Sequence, residues 1–281
     1  MSTLVPPLFA GLVDDASALP PGVAAFAEVL SGHADHDGAW YGALLGALLL
    51  PSSLVDREFP APGTVVGVVN DAPIGVLATT VGKLRAAGAD VRHVEAAVAR
   101  RGEDPQPGLS TLRAFAADHA DLDVYAEIPL SWGLLAALDT LGQARAGGLR
   151  IAPKFRIGGL ASELFPTPVE LAAVICACRD RRLPFRLAAG LRHALRHTDP
   201  ETGFTHHGFL NVLVASLYAN DGGEVADVAE ALGATHPVPL VEPARTRCDD
   251  TRPLLVAFGA APVVDPLTEL IRLGLINGGF E

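Results

Sequence analysis

Short apolar runs recur along the chain, each followed by a stretch with helical spacing. The runs are LFAGLV (8–13), ALLLP (47–51), TVVGVVN (64–70), VRHVEAAV (91–98), LDVYAEIP (122–129), LRIAPKFRI (149–157), PFRLAAGL (184–191) and LLVAFGA (254–260). Their hydrophobicity is near-continuous rather than alternating, as in parallel strands buried on both faces. Segments 74–88, 109–120, 132–148 and 166–182 are amphipathic, and several begin with Pro, Ser or Thr or end with Gly, where helix caps belong. Eight strands alternating with helices over 281 residues match the count and size of a (β/α)8 barrel. The pattern predicts an α/β fold of TIM-barrel type, one barrel domain over residues 1–281. An open doubly wound sheet is the alternative, but no G-x-G-x-x-G turn follows the first strand. The stretch 192–253 is longer than one crossover, so extra helices are expected there (HGFLNVLVASLYAN, then EVADVAEALG), with a loop rich in Pro and Arg.

Composition narrows the function classes. Hydrophobic residues make up 49% of the chain and charged residues 19%, which excludes a disordered chain. A net charge of -11 disfavours nucleic acid and anionic lipid as partners. No apolar run approaches the roughly 18 residues of a membrane span, and MSTLVPPLFAGLVDD lacks the basic start of a signal peptide. Three cysteines give no disulfide framework, and Cys176 and Cys178 read as core thiols in an apolar helix. The expectation is a cytoplasmic protein with a small-molecule partner. A homo-oligomer is compatible with all of this.

A barrel places its active site at the C-terminal strand ends. The polar residues there are Asp14 and Asp15, Asn70 and Asp71, Glu95, Glu127, Lys154 and Arg156, Arg186, and then Arg192 and His193. Lys154 is one of only two lysines, and with Arg156 it faces one side of its strand. Inward cations are costly unless paired or used. One reading is an internal ion-pair network with Glu127 and Glu95; the other is a reactive amine or an anion site. A buried lysine beside another cation loses affinity for its proton and becomes a nucleophile. Glu127 is the first choice for the accompanying proton transfers and Asp14 the second. A free amine near neutral pH needs a fall of about three units from about 10.4, or roughly 4 kcal/mol. That demands a Glu127 that is protonated or turned toward Arg156.

The cluster LRHALRHTDPETGFTHHGFLN (191–211) holds four histidines and two arginines. His193 and His197 have the i, i+4 spacing of a helical metal chelate, without any H-E-x-x-H signature. An anion site is the other functional reading, since loops after strands 7 and 8 of barrels often bind phosphate at a helix N-terminus. Arg192, His193, His207 and Asn211 would be its contacts, and an exposed polar loop is the plain alternative. His33 and His36 share a helical face and read as solvated. Asp14 and Asp15 read equally as a helix cap or a ligand pair.

The segments APKFRIGG and PFRLAAGLRH resemble class I aldolases of the deoxyribose-phosphate aldolase type. Those barrels carry Lys-x-Ser-x-Gly on strand 6 and Lys-Ala-x-Gly-Gly on strand 7. The resemblance covers residues 149–193 and implies Lys154 as the Schiff-base lysine and Arg186 as its neighbouring cation. Arg186 stands where the family has a lysine, and a guanidinium cannot shuttle a proton. GLVDDASALPPG, KFRIGG, AGLRH and HGFLN also resemble a group of actinobacterial β/α-barrel proteins without an assigned activity. In that group strand 7 carries a lysine and a second histidine, where this chain has Arg186 and Arg192. The expected function is a carbon–carbon lyase, or related carbonyl enzyme, using a Schiff-base lysine on a small anionic substrate. Lys154, Glu127, Asp14 and Arg186 would be catalytic; Arg156, Arg192, His193, His207 and Asn211 would bind substrate. Neither cofactor nor metal is expected. One alternative is a metal-dependent lyase or isomerase using Asp14, Asp15 and the 193–207 histidines. Another is a barrel that binds a ligand or templates a reaction without lysine chemistry.

Overall fold

The computed structural model describes residues 5–20, 25–55 and 58–278. The first four residues of the N-terminal reading, and Pro21 and Gly22 of GLVDDASALPPG, lie outside the described residues. In chain order the strands are β1 (Val13–Asp15), β2 (Leu45–Pro51), β3 (Val65–Asn70), β4 (Asp90–Ala97), β5 (Asp123–Glu127), β6 (Ile151–Arg156), β7 (Phe185–Ala188), β8 (His197–Thr198), β9 (Thr205–His206) and β10 (Leu255–Ala260). Eight of them pair in parallel and close in the order β1-β10-β7-β6-β5-β4-β3-β2, while β8 and β9 form a separate antiparallel hairpin. The helices are α1 (Phe26–Asp37), α2 (Leu77–Ala86), α3 (Gln106–Asp118), α4 (Leu134–Ala146), α5 (Pro168–Asp180), α6 (Phe209–Asn220), α7 (Val225–Gly233), α8 (Val238–Thr246) and α9 (Val264–Arg272). This is a (β/α)8 barrel of TIM type, with α6 to α8 between the last two barrel strands.

Strand alternation divides the buried residues into two layers. Val13, Leu48, Leu50, Val66, Val68, Val94, Val124, Ala126, Ile151, Phe155, Phe185, Leu187 and Phe258 belong to one continuous apolar cluster with the helices. Their alternate neighbours stand apart from that cluster and point to the barrel axis: Asp14, Leu49, His93, Glu95, Tyr125, Ala152, Lys154, Arg186 and Ala257, all buried. Barrel interiors are usually filled by layers of branched apolar side chains. Here four charged side chains, Asp14, Glu95, Lys154 and Arg186, sit inside, each less than 5% exposed. Glycines make the room. A Cβ on Gly46 would strike the Asp14 carboxylate, and one on Gly67 would strike the His93 ring.

Two local expectations need correction. The first strand begins at Val13, because Leu8 and Phe9 lie in a short 3-10 turn and Gly11 takes a left-handed φ of 58°. The Pro- and Arg-rich stretch expected as a loop contains α8. Prolines 237 and 239 fall at its start, where no backbone donor is needed. Its apolar side, Leu240, Val241 and Ala244, is buried.

Candidate active site

The register brings the site residues together across neighbouring strands. Lys154 lies opposite Glu127 of β5 on one side and opposite Arg186 of β7 on the other. Its Nζ sits 2.7 Å from Glu95 Oε2 and 2.8 Å from Glu127 Oε2. Glu127 also reaches outward, accepting from Arg156 Nε at 3.2 Å through Oε1. Arg186 forms an ion pair through Nε with Glu95 Oε1 at 2.9 Å and another through Nη2 with Asp14. Asp14 accepts in addition from the Ala47 backbone N–H at 2.7 Å. The Arg186 guanidinium also stands 4.8 Å over the Tyr125 ring, a cation–π contact between buried groups. The resulting network has three carboxylates (Asp14, Glu95, Glu127) and three cations (Lys154, Arg156, Arg186), so its charge closes to zero.

This arrangement sets the protonation states. Burial alone would push Glu95 up, but the Lys154 charge and the His93 contact outweigh it and bring it to about 2. Burial also works against an ionised Glu127, and the charges of Lys154 and Arg156 reverse that, leaving it below its ordinary value. For Lys154, burial pulls down, while Glu95 and Glu127 pull harder the other way and hold the ammonium above its ordinary value. Burial lowers Arg186 to about 9, still protonated at neutral pH. The neighbouring cation was expected to free the Lys154 amine. Instead Glu95 lies between the two, touching Lys154 with one oxygen and Arg186 with the other, and absorbs the repulsion. The condition that Glu127 be protonated or turned toward Arg156 is met only by half: Oε1 accepts from Arg156, but Oε2 stays on Lys154 and the carboxylate is held ionised.

Asp14 and Asp15 are not a ligand pair, since they lie on opposite faces of β1. Asp14 points inward, whereas Asp15 Oδ2 meets His33 Nδ1 of α1 at 3.0 Å and Oδ1 accepts from the Ser17 N–H at 3.0 Å. Burial would raise Asp15, and the His33 and Ser17 hydrogen bonds more than offset it. His33 is therefore buried rather than solvated, and His36 meets Tyr41 at 2.7 Å. The inward Asp14 is paired with Arg186, accepts from the Ala47 N–H, and does not line the cavity beside Glu127.

The residues expected to bind an anion after β7 do not converge. Arg192 meets Asp265 of α9 at 3.2 Å, and His193 stands 3.9 Å from Glu269 of the same helix. His207 is buried, with Nε2 at 2.8 Å from the Pro166 carbonyl and Nδ1 facing Arg196, and burial lowers it to about 4. It is a neutral donor inside the protein. Asn211 accepts from the Arg196 N–H and donates to the carbonyls of Ala231 and Ala234, so its hydrogen-bonding capacity is spent on structure. The N–H groups of Phe209 and Leu210, at the start of α6, are taken by the carbonyls of His193 and Ala194. His193 and His197 do not share a helix either. His197 lies in the hairpin, stacked on His206 at 5.2 Å, and Phe165 meets His206 edge-on at 4.8 Å. Among the described residues no group of three or more His, Cys, Asp or Glu could hold a metal ion. Among them, too, no helix is long and apolar enough to cross a membrane.

No protein-family model matches the chain, and no curated protein matches it significantly. The resemblances noted above therefore rest on their short segments and on the barrel itself.

Sequence reasoning passed over three parts of the site. His93 lies 3.5 Å from Glu95 and edge-on to Tyr125, and the alternation of His93 with Glu95 along β4 was the available signal. Tyr125 precedes Glu127 by the same two-residue step. Arg101 was the third. It helps line a cavity of about 150 Å³ at the ends of β4, β5 and β6, beside Glu127 and Arg156. This cavity opens next to the buried network, and Glu127 belongs to both.

Proposed function

We propose that this barrel is an enzyme for a small anionic carbonyl compound, with the Lys154–Glu127 pair as its reaction centre. One observation carries this reading. Glu127 joins a buried ammonium to an open cavity at the C-terminal strand ends, where barrel enzymes work. An anionic substrate that takes Arg156 competes with Glu127 for the guanidinium and frees its outer oxygen. The ionised carboxylate then accepts a proton, from the carbon beside the carbonyl or from a β-hydroxyl whose C–C bond breaks. The Lys154 ammonium lies behind Glu127 rather than in the cavity wall, and its charge favours the enolate that forms. Both outcomes are lyase or isomerase chemistry without a covalent intermediate.

A second reading is the imine-forming lyase, favoured by the register that sets Lys154 beside Arg186 of β7. It requires a neutral amine. The ordinary values of 10.5 for lysine and 4.5 for glutamate lie six pH units apart, and the site widens that gap. The proton therefore stays on Lys154 in the resting state. The covalent route opens only if substrate first breaks the clamp.

Proton NMR in deuterated buffer tests the proposal against a panel of small 2-oxo acids and aldehydes. The wild-type protein should exchange C–H protons beside the carbonyl of at least one of them, and Glu127→Gln should not. Borohydride trapping separates the two readings. Reduction with substrate that leaves the Lys154 peptide unmodified fits the non-covalent route, and a mass increase on that peptide establishes the imine.

A further inference from the structure

The cavity at the β4–β6 ends has a wall chemistry that selects among anions. Its apolar side is Ile128, Pro129, Leu130 and Leu164, and its cations are Arg101 and Arg156. Glu127 and Glu163 complete the lining with Ala99, and Glu163 turns its backbone carbonyl to Arg101 at 3.1 Å. No Gly, Ser or Thr lines it. A phosphate dianion is usually cradled by backbone N–H groups and hydroxyls, and two carboxylates nearby would repel a second negative charge. A monoanion with an apolar body is repelled less and needs no such cradle. The size is consistent: a cavity of about 150 Å³ lined by Leu, Ile and Phe holds benzene, and this one has that volume. The two loops that supply the apolar wall also carry Trp132 and Leu160, which are 72% and 100% exposed, the most exposed large apolar side chains among the described residues. Nothing in the barrel's packing accounts for them.

We infer that this cavity binds a monocarboxylate with a branched or aromatic apolar body, the carboxylate on Arg101 and Arg156 and the body against Leu130 and Leu164. This deepens the proposed function, whose substrate class it narrows to apolar 2-oxo acids rather than sugar phosphates, but binding itself does not require turnover. Calorimetric titrations with 4-methyl-2-oxopentanoate, the unreactive 4-methylpentanoate, pyruvate and inorganic phosphate test it. Both six-carbon acids should bind at least tenfold more tightly than pyruvate or phosphate. Arg101 is exposed, so Arg101→Ala should fold normally and weaken both acids about tenfold, and Leu164→Asn should weaken them while leaving the weak pyruvate binding unchanged. Phosphate binding more tightly than 4-methylpentanoate, or both variants binding it as wild type does, would overturn the inference. Binding of 4-methylpentanoate with no exchange of any carbonyl compound would overturn the proposed reaction and leave the binding site standing.

Discussion

Lys154 on β6 and Glu127 on β5 lie opposite each other in the barrel, and Nζ meets Oε2 at 2.8 Å. Lys154 is 3% exposed, whereas the Glu127 side chain keeps 21% of its surface at the cavity. One residue stores the charge in the interior, and the other presents it to solvent. Most of the predictions below follow from that pairing.

Lys154→Met keeps the side-chain volume but leaves Glu95 and Glu127 facing each other without their shared cation. Removing one partner of a buried ion pair costs about 3–5 kcal/mol. Urea denaturation should show that loss, so the variant is not a neutral test of catalysis. Lys154→Arg, which keeps the charge, should retain more of the stability.

The same network fixes a pH window. Glu95 has its folded value lowered from 4.5 to about 2, so its contribution is present above pH 4.5 and is lost as pH falls toward 2. Lys154 has its folded value raised above 10.5, so its contribution is full below pH 10.5 and fades only above that. Wild-type stability should show no loss from this network between pH 5 and 10. In Lys154→Met the carboxylates should take up protons more readily, so its deficit should shrink as pH falls from 7 to 5. Thermal melts across that range check both statements.

His207 adds a loss on the acid side at higher pH than Glu95 does. Its folded value is lowered from 6.5 to about 4, so the unfolded chain takes up the proton first as pH falls. Stability should drop by about 3 kcal/mol between pH 6.5 and 4 from this residue. His207→Gln keeps a donor for the Pro166 carbonyl and should remove that slope. An unchanged acid slope in the variant would place its origin elsewhere.

Gly46 tests the inner layer. A Cβ there meets the Asp14 carboxylate and must displace it from Ala47 and Arg186. Gly46→Ala should destabilise the fold by about 1–3 kcal/mol, the usual cost of overpacking. Gly75→Ala, where a Cβ meets nothing within 4 Å, is the control and should be near neutral.

The barrel was legible because each strand keeps its outward residues apolar for the helix layer, as Val124, Ala126, Phe155 and Leu187 do. The pairing of Lys154 with Glu127 was legible as well, since adjacent strands of a barrel put equivalent positions side by side. What the residues alone did not reveal was the position of Glu95 between Lys154 and Arg186. That depends on strand stagger, which no one-dimensional pattern carries. With it went the direction of the Lys154 shift, because proximity of two cations says nothing about a carboxylate between them. The 191–211 cluster misled for a related reason. Charges close in sequence suggest one anion site, but α9 supplies Asp265 and Glu269 to Arg192 and His193, while His207 and Asn211 turn into the protein.

The account stands on Lys154 being held as an ammonium between two carboxylates, and the chain allows that to be measured without ambiguity. It has two lysines, Lys83 and Lys154, so protein labelled with ¹⁵N only at lysine Nζ gives two signals. Lys154→Met assigns them by subtraction. Nitrogen NMR followed from pH 6 to 11 should show the Lys154 Nζ protonated throughout, with slow proton exchange in its buried site and no titration below its ordinary 10.5. A Lys154 signal that titrates near pH 7 to 8 would mean a free amine in the resting protein, contradicting the clamp and making the imine route the better account.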